Sequence, residues 1–226
     1  MGILEHVARQ GAGVKMPDLV RELDAPRTSL YGLVAGLVSC GYLQAGPDGF
    51  TLGPSVGALV STRRTIDEVA RPALSRLSEE VGETVMLAVR IGDFLVYVDA
   101  VESAQLIRYS APLYERRELY PASSGKCFLA FGPQSFTDPY LKKFVKPAPR
   151  QAVQTELAKV ARIGYSVNRG ETIPDVTAVA VPILVRERLV ACIAVAGPSV
   201  RISNAQIPVI AGHARKAAQA VSELLQ

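Results

Sequence analysis

The sequence predicts a two-domain α+β chain: a small winged helix-turn-helix, then a larger domain of mainly antiparallel strands with helices before, within and after the sheet. Three observations predict it. Leu30, Leu33, Val34, Leu37 and Val38 recur at helical spacing, and two short strands around Gly46-Pro47-Asp48-Gly49 follow at once. From Glu83 the apolar period becomes that of strands, with ETVMLAVRIG and DFLVYVDAVES set around Gly92-Asp93. The chain has 226 residues, 49% of them hydrophobic and 20% charged, which suffices for two buried cores and argues against disorder.

In order, residues 2–10 read as a first helix with Ile3, Leu4, Val7 and Ala8 inward, ended by Gly11-Ala12-Gly13. Pro17–Leu23 is a second, with Leu19, Val20 and Leu23 inward, and Asp24-Ala25 turns into the third. Pro26 suits the first position of that third helix, because its missing N–H has no partner there. Gly41 supplies a left-handed residue at its end. Tyr42–Ala45 and Phe50–Leu52 are the strands of the wing, which completes a trihelical unit with a wing. Residues 1–60 make this domain, with a linker helix over about 54–66 and a second domain over 65–226.

Thr65-Ile66-Asp67-Glu68 has capping-box spacing and opens a helix to about Val81, with Val69, Leu74, Leu77 and Val81 inward. After the hairpin, LIRYSAP reads as a third strand. Ser123–Phe131, Gln134–Phe144 and Gln151–Ile163 are helical, and Tyr165–Asn168 starts another strand. Val176–Val185 and Leu189–Ala196 are long apolar strands joined by Arg186-Glu187-Arg188, and Ser203 caps a last helix to Leu225.

Composition excludes several classes. No stretch approaches the roughly 18 apolar residues of a membrane span, and Glu5, His6 and Arg9 interrupt what would otherwise resemble a signal peptide. Cys40, Cys127 and Cys192 are odd in number, far apart and beside apolar neighbours, which suits reduced core thiols and a cytoplasmic location. Two histidines cannot build a histidine metal cluster, and no cofactor motif is present. Net charge is +4, yet residues 1–60 hold four basic side chains against five acidic ones. One copy of that domain is therefore a weak partner for DNA, and useful affinity calls for two copies held in register.

The segments GYL…GFTLG, GETVMLAV-RIGDFLVYVDAVES, YPASSGKCFLAF, GYSVNRGE, and VAVPILV with VACIAVAGPSVRIS, in this order, resemble the IclR family of bacterial transcriptional regulators over nearly the whole chain. The resemblance implies a GAF-like effector domain, homodimers or dimers of dimers, double-stranded promoter DNA as partner, and control by a small organic acid. It also implies a regulator, more commonly a repressor, and no enzyme.

Carried onto this sequence, the resemblance puts Arg27, Thr28, Ser29 and Tyr31 at the start of a recognition helix, with Gly32 where relatives commonly have Arg. It puts Ser123, Ser124, Gly125, Asn168, Ala178, Ala194 and Ala196 in the effector pocket. Physically, a small-residue run opening a helix is a ready anion site. On the family pattern Asn168 stands where relatives often have Asp, Ala178 where many have Cys or another small residue, and Ala194 and Ala196 where some have Ser, which implies an apolar pocket. Such a pocket favours an aromatic or longer-chain acid. Two other readings stand beside this one. One is a metabolite sensor that has lost specific DNA binding, suggested by Gly32 and the near-neutral first domain. The other is a Ser123/Lys126 acyl enzyme, which has S-x-x-K spacing but no S-D-N or K-T-G element. A P-loop fails, because Tyr120 and Cys127 replace a required Gly and Ser/Thr. Glu171 and Asp175 read as solvated loop charges or cap partners, and Arg108 and Tyr109 face either ligand or solvent.

Overall fold

The computed structural model describes residues 2–10, 13–59 and 65–226, leaving aside the side chains of residues 58, 59, 147 and 148. Two compact units divide at Arg64/Thr65.

In the first unit, α1 (Ile3–Gln10), α2 (Met16–Leu23) and α3 (Arg27–Ser39) enclose a small core of Val7, Leu19, Leu30, Val34 and Leu43. The strands β1 (Leu43–Gly46) and β2 (Gly49–Leu52) form the wing. Val14, ahead of α2, adds a bridge to Phe50, with N–H···O bonds of 2.9 and 2.8 Å in the two directions. The approach is so close that a Cβ on Gly49 (φ +124°) would lie 2.6 Å from the Val14 carbonyl. α3 ends in a Schellman motif: Gly41 N–H reaches Val38 O at 3.0 Å and Tyr42 N–H reaches Leu37 O at 2.9 Å, with Gly41 at φ +73°.

Several expectations change here. Pro26 sits outside α3 as its extended N-cap, so Arg27 takes the first helical position. Leu33 is 59% exposed: it lies at the edge of the stripe, beyond the arc that the rest of the unit covers. Ala8 is exposed, whereas His6 is buried. Cys40 is exposed, not a core thiol. Gly11 and Ala12 lie outside the described residues, as do residues 60–64 of the expected linker helix; its described part is α4 (Ser55–Leu59).

In the second unit, α5 (Ile66–Val81) starts with Glu68 accepting from the Thr65 N–H at 3.2 Å. There follow β3 (Thr84–Ile91), β4 (Phe94–Val101), β5 (Arg117–Glu118), α6 (Ser123–Phe131), α7 (Gln134–Phe144) and α8 (Pro147–Ile163). The unit closes with β6 (Ser166–Arg169), β7 (Val176–Val185), β8 (Arg188–Pro198) and α9 (Gln206–Leu224). The strands form one antiparallel sheet in the order β5-β4-β3-β8-β7-β6.

Period-2 alternation in the central strands gives the sheet two unlike faces. Val85, Leu87, Val179, Val181, Ile193 and Val195 pack with α5 and α9. Met86, Ala88, Ala178, Ala180, Ala194 and Ala196 face the core shared with α6, α7 and α8. The first face is branched and fills its layer; the second is mostly alanine, which leaves space above the sheet.

LIRYSAP is no strand. Leu106 and Ile107 are 98% and 75% exposed, and the segment is an extended loop tied down by its backbone. Arg201 Nη2 donates to Ile107 O at 2.9 Å and Thr84 Oγ1 to Tyr109 O at 2.6 Å, and the two-residue β5 takes the sheet edge instead. Ser203 does not cap α9; Ala205 holds that position, while Gln206 Oε1 accepts from the Ser203 N–H at 2.9 Å. The turn between β7 and β8 places both Arg186 and Glu187 at positive φ (47° and 63°), the backbone of a two-residue hairpin made without glycine.

Candidate functional site

On the first unit, Arg27, Thr28, Ser29, Tyr31 and Gly32 are all exposed along the N-terminal half of α3. The first intrahelical bond runs from Leu30 N–H to Pro26 O at 3.1 Å, so the amides of the three preceding residues have no intrahelical acceptor. Together with the helix dipole this end attracts an anion. Arg27 Nη2 donates to the Tyr31 hydroxyl at 3.4 Å, and its guanidinium stands 5.7 Å over the Tyr31 ring. Gly32 and Gly36 share the exposed face, and a Cβ on either would meet nothing within 4 Å. The face is therefore flat, polar at its N-terminal end, with exposed Leu33 beside it.

On the second unit, the alanine face of the sheet is bordered by a cavity of about 270 Å³. Met86, Tyr97, Ala178 and Ala196 line it from the sheet, and Tyr120–Ser123 from the entry to α6. Asn168 lines it from β6, Thr172 and Ile173 from the β6–β7 connection, Val176 from the start of β7, Tyr109 from the loop after β4, and Arg117 and Glu118 from the edge strand β5. Four of the seven expected pocket residues, Ser123, Asn168, Ala178 and Ala196, are at the wall.

The other three are not, each for a packing reason. Ala194 is fully buried between Met86 and Ala180 in register, behind the lining. Gly125 lies against Leu119, whose carbonyl oxygen would be 1.7 Å from a Cβ. Glycine is required there for close backbone contact. Ser124 is fully buried; its hydroxyl lies beside Tyr97 without hydrogen-bond geometry.

Among the polar groups, Asn168 is already committed. Its Nδ2 donates to Pro121 O and to Thr172 Oγ1, both at 2.8 Å. A carbonyl can only accept, so the amide orientation is fixed and both of its N–H groups are spent. Asn168 thus ties the α6 entry to the β6–β7 connection. Burial pushes the Tyr97 hydroxyl up to about 12, with Tyr109 adding to it and Arg117 opposing. Tyr120 is pushed up to about 12 by burial and then by Glu156 and Glu171. Both are neutral hydroxyls at physiological pH.

Beside the pocket, Lys126 Nζ is completely buried and meets both Glu171 oxygens at 2.8 Å, Glu156 Oε1 at 2.6 Å and Val167 O at 3.0 Å. Glu171 is therefore not a solvated loop charge: it anchors the connection that carries Thr172 and Ile173. Lys126 Nζ is taken up by these oxygens and makes no hydrogen bond to Ser123 among the described residues, so the geometry lends the Ser123/Lys126 pair no support. Arg108 is also committed, to Glu102 at 2.7 Å, while Tyr109 lines the cavity. Cys127 and Cys192 are core thiols; Cys127 Sγ lies 3.3 Å from both Ser166 Oγ and Ala180 O. Among the described residues no group of metal-ligating side chains is assembled, and no helix is long and apolar enough to cross a membrane.

Reasoning from the sequence did not single out Arg117, Tyr97, Thr172 or Ile173. Arg117 stands in the run Glu115-Arg116-Arg117-Glu118, which reads as a solvated charge cluster. Only the pairing of β5 with β4, Leu95 opposite Arg117, brings it to the cavity.

Known proteins resemble this chain over most of its length. Residues 58–223 match the family described as Bacterial transcriptional regulator IclR C-terminal, and residues 1–47 match the IclR helix-turn-helix domain. The HTH-type transcriptional regulator KipR of Bacillus subtilis is 28% identical over 220 residues, 92% of this chain and 88% of that protein. The HTH-type transcriptional repressor AllR of Escherichia coli is 26% identical, covering 90% and 80%. Among solved structures, an IclR regulator from Silicibacter superposes with a TM-score of 0.82 at 26% identity, covering 93% and 88% of the two chains. An IclR homolog from Microbacterium hydrocarbonoxydans, complexed with 4-hydroxybenzoate, superposes at 0.76 with 24% identity, covering 94% and 90%.

Proposed function

The chain belongs to the IclR family of bacterial transcriptional regulators, and from that premise we propose that it is a repressor whose grip on promoter DNA is set by a small aromatic organic acid bound in the second unit. The observation that carries this reading is the cavity itself: closed by an alanine-rich sheet face, rimmed by tyrosines, and bordered by the start of α6, where backbone amides favour an anion. The alanines at 178 and 196 remove polar partners from its floor, so an apolar ring fits there better than a small polar keto acid. The neighbour that holds 4-hydroxybenzoate supports the ligand class by analogy.

At the DNA, Arg27, Thr28, Ser29 and Tyr31 are the contacts of α3, with phosphate attracted to its N-terminus and base edges met by the exposed face. With Arg27 the single cation on that helix, two copies must act together. A dimer of this kind reads half-sites about 34–36 Å apart or a multiple of that spacing. The effector acts only if it binds one arrangement of the copies better than the other.

The test is fluorescence anisotropy of the full chain on DNA from its own gene's upstream region, with and without 4-hydroxybenzoate, benzoate and pyruvate. Saturable binding that an aromatic acid weakens, with pyruvate inert, is expected. Absence of any shift at low salt would instead favour a sensor without DNA binding; weakening by pyruvate alone would rule out the apolar-ligand reading.

A further inference from the structure

We propose that Arg117 is the carboxylate anchor of the cavity, and that the ligand is an aromatic monocarboxylate with its ring over Met86, Ala178 and Ala196. The inference rests on the effector-pocket reading above and names the residue and charge type that this pocket selects.

Asn168 has no N–H left to donate. Tyr120 donates to Glu156 at 3.4 Å, and Lys126, next to the pocket, is neutralised by two carboxylates. Arg117 is the cation at the wall, and none of the ion pairs among the described residues includes it. Its Nε is shut off from solvent and makes no hydrogen bond. That nitrogen is out of a ligand's reach; the two terminal nitrogens of Arg117, which no hydrogen bond or ion pair among the described residues takes up, are the ones that can give a carboxylate paired, charge-assisted bonds.

The guanidinium lies 5.6 Å over the ring of Tyr97, and β5 is fixed in register to β4, so the head group is held at the pocket rather than swinging in solvent. Pre-organisation of this kind reduces the ordering that binding must supply.

Size and charge then narrow the ligand. A dry cavity of about 150 Å³ suffices for benzene. The cavity here, about 270 Å³, holds one substituted ring. Glu118 borders the same cavity and is exposed, so a second carboxylate on the ligand would meet a like charge. One carboxylate is therefore matched and two are not.

The experiment is calorimetric titration of the full-length protein with benzoate, its neutral isostere benzamide, and terephthalate. Wild type is expected to bind benzoate at least 30-fold tighter than benzamide, and terephthalate weakly. R117Q should lower benzoate affinity about 30-fold and abolish the preference over benzamide. R117K should keep most of the preference, and R108Q, which changes an arginine paired to Glu102, should leave it intact. Melting of each unliganded variant shows that the fold is retained. If R117Q keeps the benzoate-to-benzamide ratio within threefold of wild type, the anchor is elsewhere and the proposal falls while the pocket reading survives. Terephthalate binding as tightly as benzoate overturns the monocarboxylate assignment. Failure of wild type to bind any aromatic or aliphatic acid overturns both the anchor and the pocket reading.

Discussion

Lys126 offers the sharpest test of how the pocket wall is held. Its ammonium is completely buried, whereas the Glu156 and Glu171 side chains that meet it at 2.6 and 2.8 Å are 35% and 36% exposed. At 2.8 Å and an effective dielectric of about 20, each attraction is about 6 kcal/mol gross. Partial exposure of both carboxylates screens that figure, and desolvation of the ammonium offsets more of it. In E171Q or E156Q alone, the remaining carboxylate still neutralises Lys126, so each single change should destabilise by about 1–2 kcal/mol. In the double variant the buried ammonium keeps only the Val167 carbonyl at 3.0 Å among its present oxygen partners. Loss should then reach about 4–5 kcal/mol, exceeding the sum of the singles by about 1 kcal/mol or more. Urea unfolding followed by tyrosine fluorescence measures this, because six of the eight tyrosines lie in the second unit. Strict additivity, or a double variant as stable as either single, would refute the idea of a shared buried cation. E171Q should also weaken acid binding more than E156Q does, since Glu171 belongs to the connection that carries Thr172 and Ile173 to the cavity.

Further outcomes follow from particular positions. G32R should strengthen binding to any duplex and steepen the salt dependence by about 0.9 per added phosphate contact, because a side chain at Gly32 meets nothing within 4 Å; an unchanged slope in anisotropy titrations would place α3 away from the phosphates. G125A should destabilise the second unit by at least about 3 kcal/mol in urea, since its Cβ would stand 1.7 Å from a backbone oxygen that cannot yield. Tyr97, raised from 10.0 to about 12, stabilises fully below pH 10 and loses that contribution as pH climbs through 12. Two units correspond to about 2.7 kcal/mol, and Y97F should flatten the decline between those pH values in denaturant midpoints.

The family resemblance in the sequence and the IclR matches agree, and the α+β architecture was legible because its signals are local. The helical stripe after Pro26, the left-handed Gly41, the Thr65 capping spacing and the Gly92-Asp93 hairpin each depend on residues within a turn or two of one another. Errors arose where an element's fate depends on what packs against it. Leu33 has the spacing of a core residue but no cover. LIRYSAP has strand composition, but Thr84 and Arg201, distant in sequence, capture its backbone as a loop. Of the residues carried over by the family pattern, Ser123, Asn168, Ala178 and Ala196 line the cavity, whereas Gly125 is packed against Leu119 and Ala194 lies buried behind the lining, which only the packed sheet and helix decide.

By itself the sequence determined an α+β chain, a winged helix with little positive charge, and a mainly antiparallel sheet with helices before, within and after it. Only the tertiary structure decided what the alanine face of that sheet leaves open and which charges border it. Arg117 reaches the cavity through a two-residue edge strand paired across the sheet, while Lys126, adjacent to the helix start that drew attention first, is neutralised by Glu156 and Glu171, 30 and 45 residues further along the chain. Charges so far apart in sequence find or lose their partners only when the chain closes, so which cation remains for a ligand is a property of the fold.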